Sequence, residues 1–212
     1  MEPNLQGEEI MAIFKPKMND FSDENNKFLG INKFAIMSFE NKSGSFDWAD
    51  LYLDIEVKQE HSDYNRKLQI KGSFEKENGK IIGGSVLKRL YTFFEAIGCV
   101  AGLNTEGIWE DEKGDVIEDI AEYLNERFAD ISMPGGGPDN YPYIAYFYKE
   151  QPKKPGAKAY TNVWPKVYRF SEDNQTKLTK DIQWLKGKGY LKELSDENSS
   201  APDMSGSGLA NL

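Results

Sequence analysis

The segment DWADLYLDIEVKQE (47–60) limits more than any other what this chain can become. Leu51, Leu53, Ile55 and Val57 alternate with Tyr52, Asp54, Glu56 and Lys58. Successive side chains on a strand point to opposite faces, so a period of two gives one apolar face and one polar face. YNRKLQIKGSF (64–74) repeats the pattern, with Leu68, Ile70 and Phe74 on one face and Lys67, Gln69, Lys71 and Ser73 on the other. INKFAIMSF (31–39) is apolar enough to form a strand ahead of them. The turn NKSGS (41–45) joins the two, and Gly44 supplies the unusual φ. ENGK (77–80) is a further turn, built on Asn-Gly.

The period then changes. In SVLKRLYTFFEAIG (85–98) the residues Val86, Leu87, Leu90, Tyr91, Phe94 and Ile97 share a helical face, and Gly98 or Gly102 can end the helix. GDVIEDIAEYLNERFADI (114–131) reads as a second amphipathic helix whose outer face is acidic. PGGGPDNYP (134–142) is a turn-rich connector. YIAYFYKE (143–150) and AYTNVWPKVYRF (159–170) read as a long hairpin around the basic loop QPKKPGAK (151–158). In its second strand Val163 and Val167 face one way, and Tyr160, Trp164, Lys166 and Tyr168 the other. Pro165 marks an edge strand or a bulge. NQTKLTKDIQWLKGKG (174–189) is a short helix with Asn174 as its expected N-cap.

Five antiparallel strands with helical material after the third predict a mainly β, α+β fold: a five-stranded OB-type barrel with a helical insertion and a C-terminal helix. The expected organisation is an N-terminal arm (1–30), a barrel domain (31–170) with its insertion at 85–131, the helical segment 171–194 and a disordered acidic tail (195–212).

Few chemistries are open to this composition. His61 and Cys99 are the sole histidine and cysteine, far apart, so an imidazole or thiolate zinc site is excluded. His61 lies in the polar turn QEHSDYN, a poor place for a general base. Cys99 lies in an apolar helical stretch and reads as a buried, inert thiol, in keeping with a reducing cytoplasm. MPGGGPDN (133–140) has glycines but no following Lys-Ser or Lys-Thr, and is no phosphate loop. The EDEKGD run (110–115) lacks EF-hand spacing and reads as a solvated loop. No stretch approaches the roughly 18 apolar residues of a membrane span, and no secretory signal opens the chain. A non-enzymatic, cytoplasmic protein without cofactor or metal is expected.

Charge is unevenly spread. The chain carries a net charge of −9, yet between Tyr141 and Phe170 stand Lys149, Lys153, Lys154, Lys158, Lys166 and Arg169 against Glu150 alone. Acids dominate from Asn104 to Ser132. A single-stranded nucleic acid needs ring faces that stack on bases and cations that follow phosphates. Tyr160, Trp164 and Lys166 on one strand face, with Lys153, Lys154 and Lys158 in the loop, supply both. Lys67 and Lys71 on the third strand continue the track, and Trp48 and Tyr52 add rings. The same aromatics would serve equally to pack beneath the helices.

Several stretches together resemble the bacteriophage single-stranded DNA-binding proteins of the OB-fold kind. ENKSGSFDWADLYLDIEV is similar to the family's Lys-Ser-Gly turn and following strand, and YNRKLQIKGSF to its next strand. SVLKRLYTFFEAIG is similar to its Gly-ended helix, and YIAYFYKE with AYTNVWPKVYRF to its closing hairpin. The resemblance covers residues 31–170. It implies a protein that coats single-stranded DNA in replication or recombination, in the host-cell cytoplasm if viral. It also implies that Tyr146, Tyr148, Lys153, Lys154, Tyr160, Trp164 and Lys166 contact DNA. An acidic tail in that family contacts replication or recombination proteins. This tail ends in GLANL, without concentrated acids or a terminal aromatic, and the acidic helix at 114–131 departs from the pattern. Two other readings are open: a protein-interaction module (a virion or host-takeover factor) using the acidic helix, and a metal-dependent nuclease using Asp50, Asp54 and Glu56.

Overall fold

The alternation of the second and third segments becomes strand pairing. The computed structural model describes residues 28–129, 141–150 and 159–193. Strand β1 (Gly30–Asn41) pairs with β2 (Leu51–Gln59), and β2 pairs with β3 (Asn65–Gly72). A small hairpin follows, β4 (Glu75–Glu77) and β5 (Lys80–Gly83), whose turn residues Asn78 and Gly79 both have positive φ, 51° and 80°. That is the geometry for which Asn-Gly is suited. Helix α1 (Ser85–Ile97), the hairpin β6 (Gly102–Leu103)–β7 (Trp109–Glu110) and helix α2 (Ile120–Phe128) form the insertion. Strand β8 (Tyr143–Lys149), the short strands β9 (Thr161–Val163) and β10 (Tyr168–Arg169), and helix α3 (Glu172–Gly187) complete the elements of the described residues.

Strands β9 and β10 both pair with β8 on the edge away from β1, so they are one strand interrupted at Trp164–Val167. The sheet order is therefore β9/β10–β8–β1–β2–β3, antiparallel throughout, and β3 and β9 come together to make a nearly closed five-stranded barrel. This is the OB-type α+β arrangement that the strand order of the sequence predicts.

Strand β1 changes neighbours along its length. Residues Gly30–Phe34 of β1 pair with β8, and Phe34–Asn41 pair with β2. The register slips at Met37: Ile36 faces Val57, while Ser38 faces Glu56. The extra residue bends the strand and resets its phase, so that Phe34 and Ile36 before it and Phe39 after it all enter the core. That core joins both barrel halves to Val86, Leu90, Phe93, Phe94 and Ile97 of α1 and to Ile120 and Leu124 of α2. A second core lies outside the barrel, where α3 lays Leu178 and Ile182 over Ile144 and Tyr146 of β8.

The helices differ from expectation in detail. Phe93 replaces Tyr91 in the buried face of α1, and Tyr91 is 40% exposed. The second helix is shorter than 114–131: it starts at Ile120 because the carboxylate of Asp119 accepts hydrogen bonds from the backbone N–H groups of Ala121 and Glu122. Helix α3 starts earlier than expected. Ser171, not Asn174, is its N-cap; the Ser171 hydroxyl accepts from the Asn174 N–H, and the Asn174 amide turns back to the Arg169 carbonyl. Most of the arm, the glycine connector and the tail lie outside the described residues. Among the described residues no helix is long and apolar enough to cross a membrane.

The acidic helix has a structural task. Beyond Phe34 the outer edge of β1 has lost β8, and Phe39 turns its N–H and C=O away from β2. The Asn125 amide fills the gap, accepting from the Phe39 N–H at 2.8 Å and donating to its carbonyl at 2.9 Å. The expected effect of Asn125→Ala is a loss of about 1–3 kcal/mol, the cost of stranding partly buried backbone groups, read from urea unfolding. An unchanged midpoint would deny α2 this role.

Candidate functional site

On the outer face of β2 and β3 the cross-strand pairs are Tyr52 with Lys71, Asp54 with Gln69 and Glu56 with Lys67. Asp54 is only 4% exposed. Its carboxylate accepts from Lys42 Nζ at 2.6 Å, Lys67 Nζ at 3.2 Å and Gln69 Nε2 at 2.8 Å. Burial opposes its ionisation, but the hydrogen bonds from Lys42, Gln69 and Lys67 outweigh this and hold its pKa below the usual carboxylate range. Gln69 also donates to the Tyr52 hydroxyl at 2.8 Å, and Lys71 donates to the Gln69 carbonyl oxygen at 2.6 Å. One buried acid thus fixes the posture of the lysines along this face. Glu40 and Glu56 offset much of their charge: Lys42 pairs with Glu40 at 2.8 Å.

The β1–β2 loop places rings at one end of the face. Gly44, with φ of 84°, turns the loop, and the Ser43 hydroxyl accepts from the Tyr52 N–H at 3.0 Å. Phe46 and Trp48 then lean over Tyr52, with centroids 5.4 Å apart for Phe46–Tyr52 and 5.8 Å for Phe46–Trp48. Tyr52 is buried beneath them, whereas Phe46 is 44% and Trp48 53% exposed. Lys71 Nζ stands 5.1 Å from the Tyr52 ring centroid.

At the other end the barrel seam is incomplete. Strands β3 and β9 share no ladder, and the break at Trp164–Val167 contains Pro165, which has no N–H to donate. A cleft of about 280 Å³ opens there. Lys67, Gln69 and Lys71 of β3 line one wall, Tyr148 and Trp164 the other, and Arg89 of α1 reaches its edge. Arg89 is held by the Lys71 carbonyl at 3.1 Å. The Tyr148 ring lies against Tyr146 and Trp164, and burial together with Glu150 and Glu193 pushes its phenol up to about 12.

The sequence-predicted residues therefore divide. Lys67, Lys71, Tyr148 and Trp164 meet in the seam cleft; Trp48 and Tyr52 form the loop cluster beside it. Tyr160 stands 71% exposed just ahead of β9. Tyr146 is different: α3 covers it, and its hydroxyl donates to Glu193, so it offers no free ring face. Lys166 and Tyr168 do not extend a strand face, because the strand is broken there; both bind Asp181, at 2.5 Å and 3.0 Å. Lys153, Lys154 and Lys158 lie outside the described residues.

Three contributors escaped the sequence reading. Phe46 adjoins Trp48 in the loop, Lys42 sits in its turn, and Arg89 is brought from the helix by tertiary packing alone. The carboxylates Asp50, Asp54 and Glu56 do not converge. Asp50 accepts from Lys76 at 2.6 Å and from the Phe74 N–H at 2.8 Å, and Glu56 accepts from Ser38. Among the described residues no group of three His, Cys, Asp or Glu side chains could hold a metal ion. Cys99 is buried, which raises its thiol pKa.

No protein-family model matches the chain, and neither a curated protein nor a solved structure shows significant similarity to it.

The depressed pKa of Asp54 ties stability to pH. Its contribution is complete above the ordinary carboxylate value of about 3.9 and fades as pH falls through the lower folded value. Asp54→Asn is expected to be less stable than the wild type at pH 7, with the gap closing in acid, as followed by urea unfolding at stepped pH. A gap that stays constant down to pH 2 would mean that Asp54 gains nothing from its lysines.

Proposed function

We propose that this protein binds single-stranded DNA across the β2–β3 face and into the seam cleft, and does so without chemistry or cofactor. Such a protein shields exposed strands during replication or recombination. The observation that carries the reading is the cleft itself, where Lys67, Lys71 and Arg89 meet Tyr148 and Trp164, next to the exposed rings of Phe46 and Trp48. Rings stack on any unpaired base, while cations near them follow the backbone. OB barrels take up oligonucleotides on the same face, beside the loop that here is residues 42–50. Paired bases offer no free ring faces to Phe46 and Trp48, so duplex is a poor ligand. Partner proteins of replication or recombination belong to the same proposal through the tail.

A second reading has its own support. Val100, Ile108 and Val116 are 61%, 44% and 63% exposed in the acidic insertion. Exposed apolar side chains among acids suit a basic protein partner. On that reading alone, the chain has no affinity for single-stranded DNA at moderate salt.

Fluorescence anisotropy with labelled oligo-dT at two salt concentrations, with duplex as competitor, separates the two. Tight, salt-sensitive binding that duplex fails to displace is expected. Trp48→Ala should weaken it by about 1–3 kcal/mol, the value of one stacked base, with the unfolding midpoint unchanged. Equal affinity of mutant and wild type would sink the stacking model. Lys71→Ala should flatten the plot of log affinity against log salt by about 0.7, one phosphate contact on a single strand.

A further inference from the structure

The seam cleft does not end at Trp164. Arg89, Trp164 and Pro165 also form the near wall of a second groove of about 280 Å³ between α1 and α3. Lys88 and Thr92 of α1 line one side of it, and Trp184 and Leu185 of α3 the other. Trp184 is 57% exposed, and the neighbouring Tyr190 is 65% exposed at a centroid distance of 5.7 Å. Neither ring is used by the cores, which take Leu178, Ile182 and Leu191 from this region.

Charge favours the same occupant. Between Asn174 and Lys192 stand Lys177, Lys180, Lys186, Lys188 and Lys192, against the single acid Asp181. Asp181 is already committed to Lys166 at 2.5 Å. Lys186 pairs with Glu193, but among the described residues no carboxylate lies within ion-pair distance of Lys88, Lys180 or Lys188. A groove with a ring at its lip, Lys88 and Lys166 in its lining and a wall shared with the seam cleft has the two features a single strand requires.

We infer that the α1–α3 groove is a second nucleic-acid subsite. A single strand leaving the seam cleft past Trp164 continues over Lys88 and stacks a base on Trp184. The inference rests on the proposed binding of single-stranded DNA and extends it: α3 lengthens the footprint beyond the barrel. Because Arg89 borders both clefts, it spans the join between the subsites.

The test uses the full chain and oligo-dT of about 6 and about 16 nucleotides, towards the lower and upper ends of the site sizes of OB folds, with one protein per strand. Trp184→Ala should lose at least about fivefold in affinity for the longer strand, the lower bound for one stacked base, and less than twofold for the shorter. Trp184→Phe should restore most of the loss, and Lys88→Ala should reduce the salt dependence for the longer strand only. Equal losses on both lengths, or none on either, overturn the second subsite while leaving the first intact. Failure of the wild type to bind either oligonucleotide overturns both.

Discussion

A sheet of five strands curls around its core only if a strand bends sharply enough to change neighbours along its length, and here β1 carries that bend. Its first residues hold β8, its remainder holds β2, and the bulge at Met37 turns the strand from one task to the other. The bulge also sets which side chains face inward, because without the extra residue Phe39 would point to solvent while Ser38 entered the core. The same bend strips β8 from the edge of β1 beside Phe39, and the Asn125 amide replaces the missing strand. An acidic helix that looks from its sequence like a solvated insertion is thus a plug for the barrel and a substitute for a ladder.

The opposite end of the sheet fails to close, and that failure makes the cleft. Pro165 cannot donate to a ladder, so the last strand breaks into β9 and β10, and the edge of β3 away from β2 has no ladder. The unpaired stretch exposes Trp164 beside Lys67, Gln69 and Lys71.

Much of this was legible in the sequence because it follows from periodicity. Leu51, Leu53, Ile55 and Val57, together with Leu68 and Ile70, lie in the core as their alternation demands, and the strand order with a helix after the third strand gave the barrel. Burial of Tyr52 and Asp54 was not legible: they occupy the polar face of β2, and loop aromatics and lysines from elsewhere cover them. Nor could a pattern of two show how the strand 159–170 breaks at Pro165, which hands Lys166 and Tyr168 to Asp181. Tyr146 was misplaced for a related reason. Alternation puts it on the outer face of β8, but only the packing of α3 reveals that the outer face is a second core. Arg89 left no signal at all, since a helix residue reaches the seam only through the tertiary fold.

On the proposed reading, a chain with net charge −9 has to present cations where the strand lies. Lys67 and Lys71 of β3 and Arg89 of α1 line the seam cleft with Glu150 beside them, and the Asp181 that lines the second groove is paired with Lys166. Within the face itself Asp54 is the exception that supports the arrangement. A buried carboxylate among three donors holds Lys67 and Gln69 in place and spends part of their charge doing so. Net attraction at the face is therefore modest. On the proposed reading, ring stacking has to supply the remainder, which suits a protein that grips unpaired bases of any sequence and releases them as salt rises.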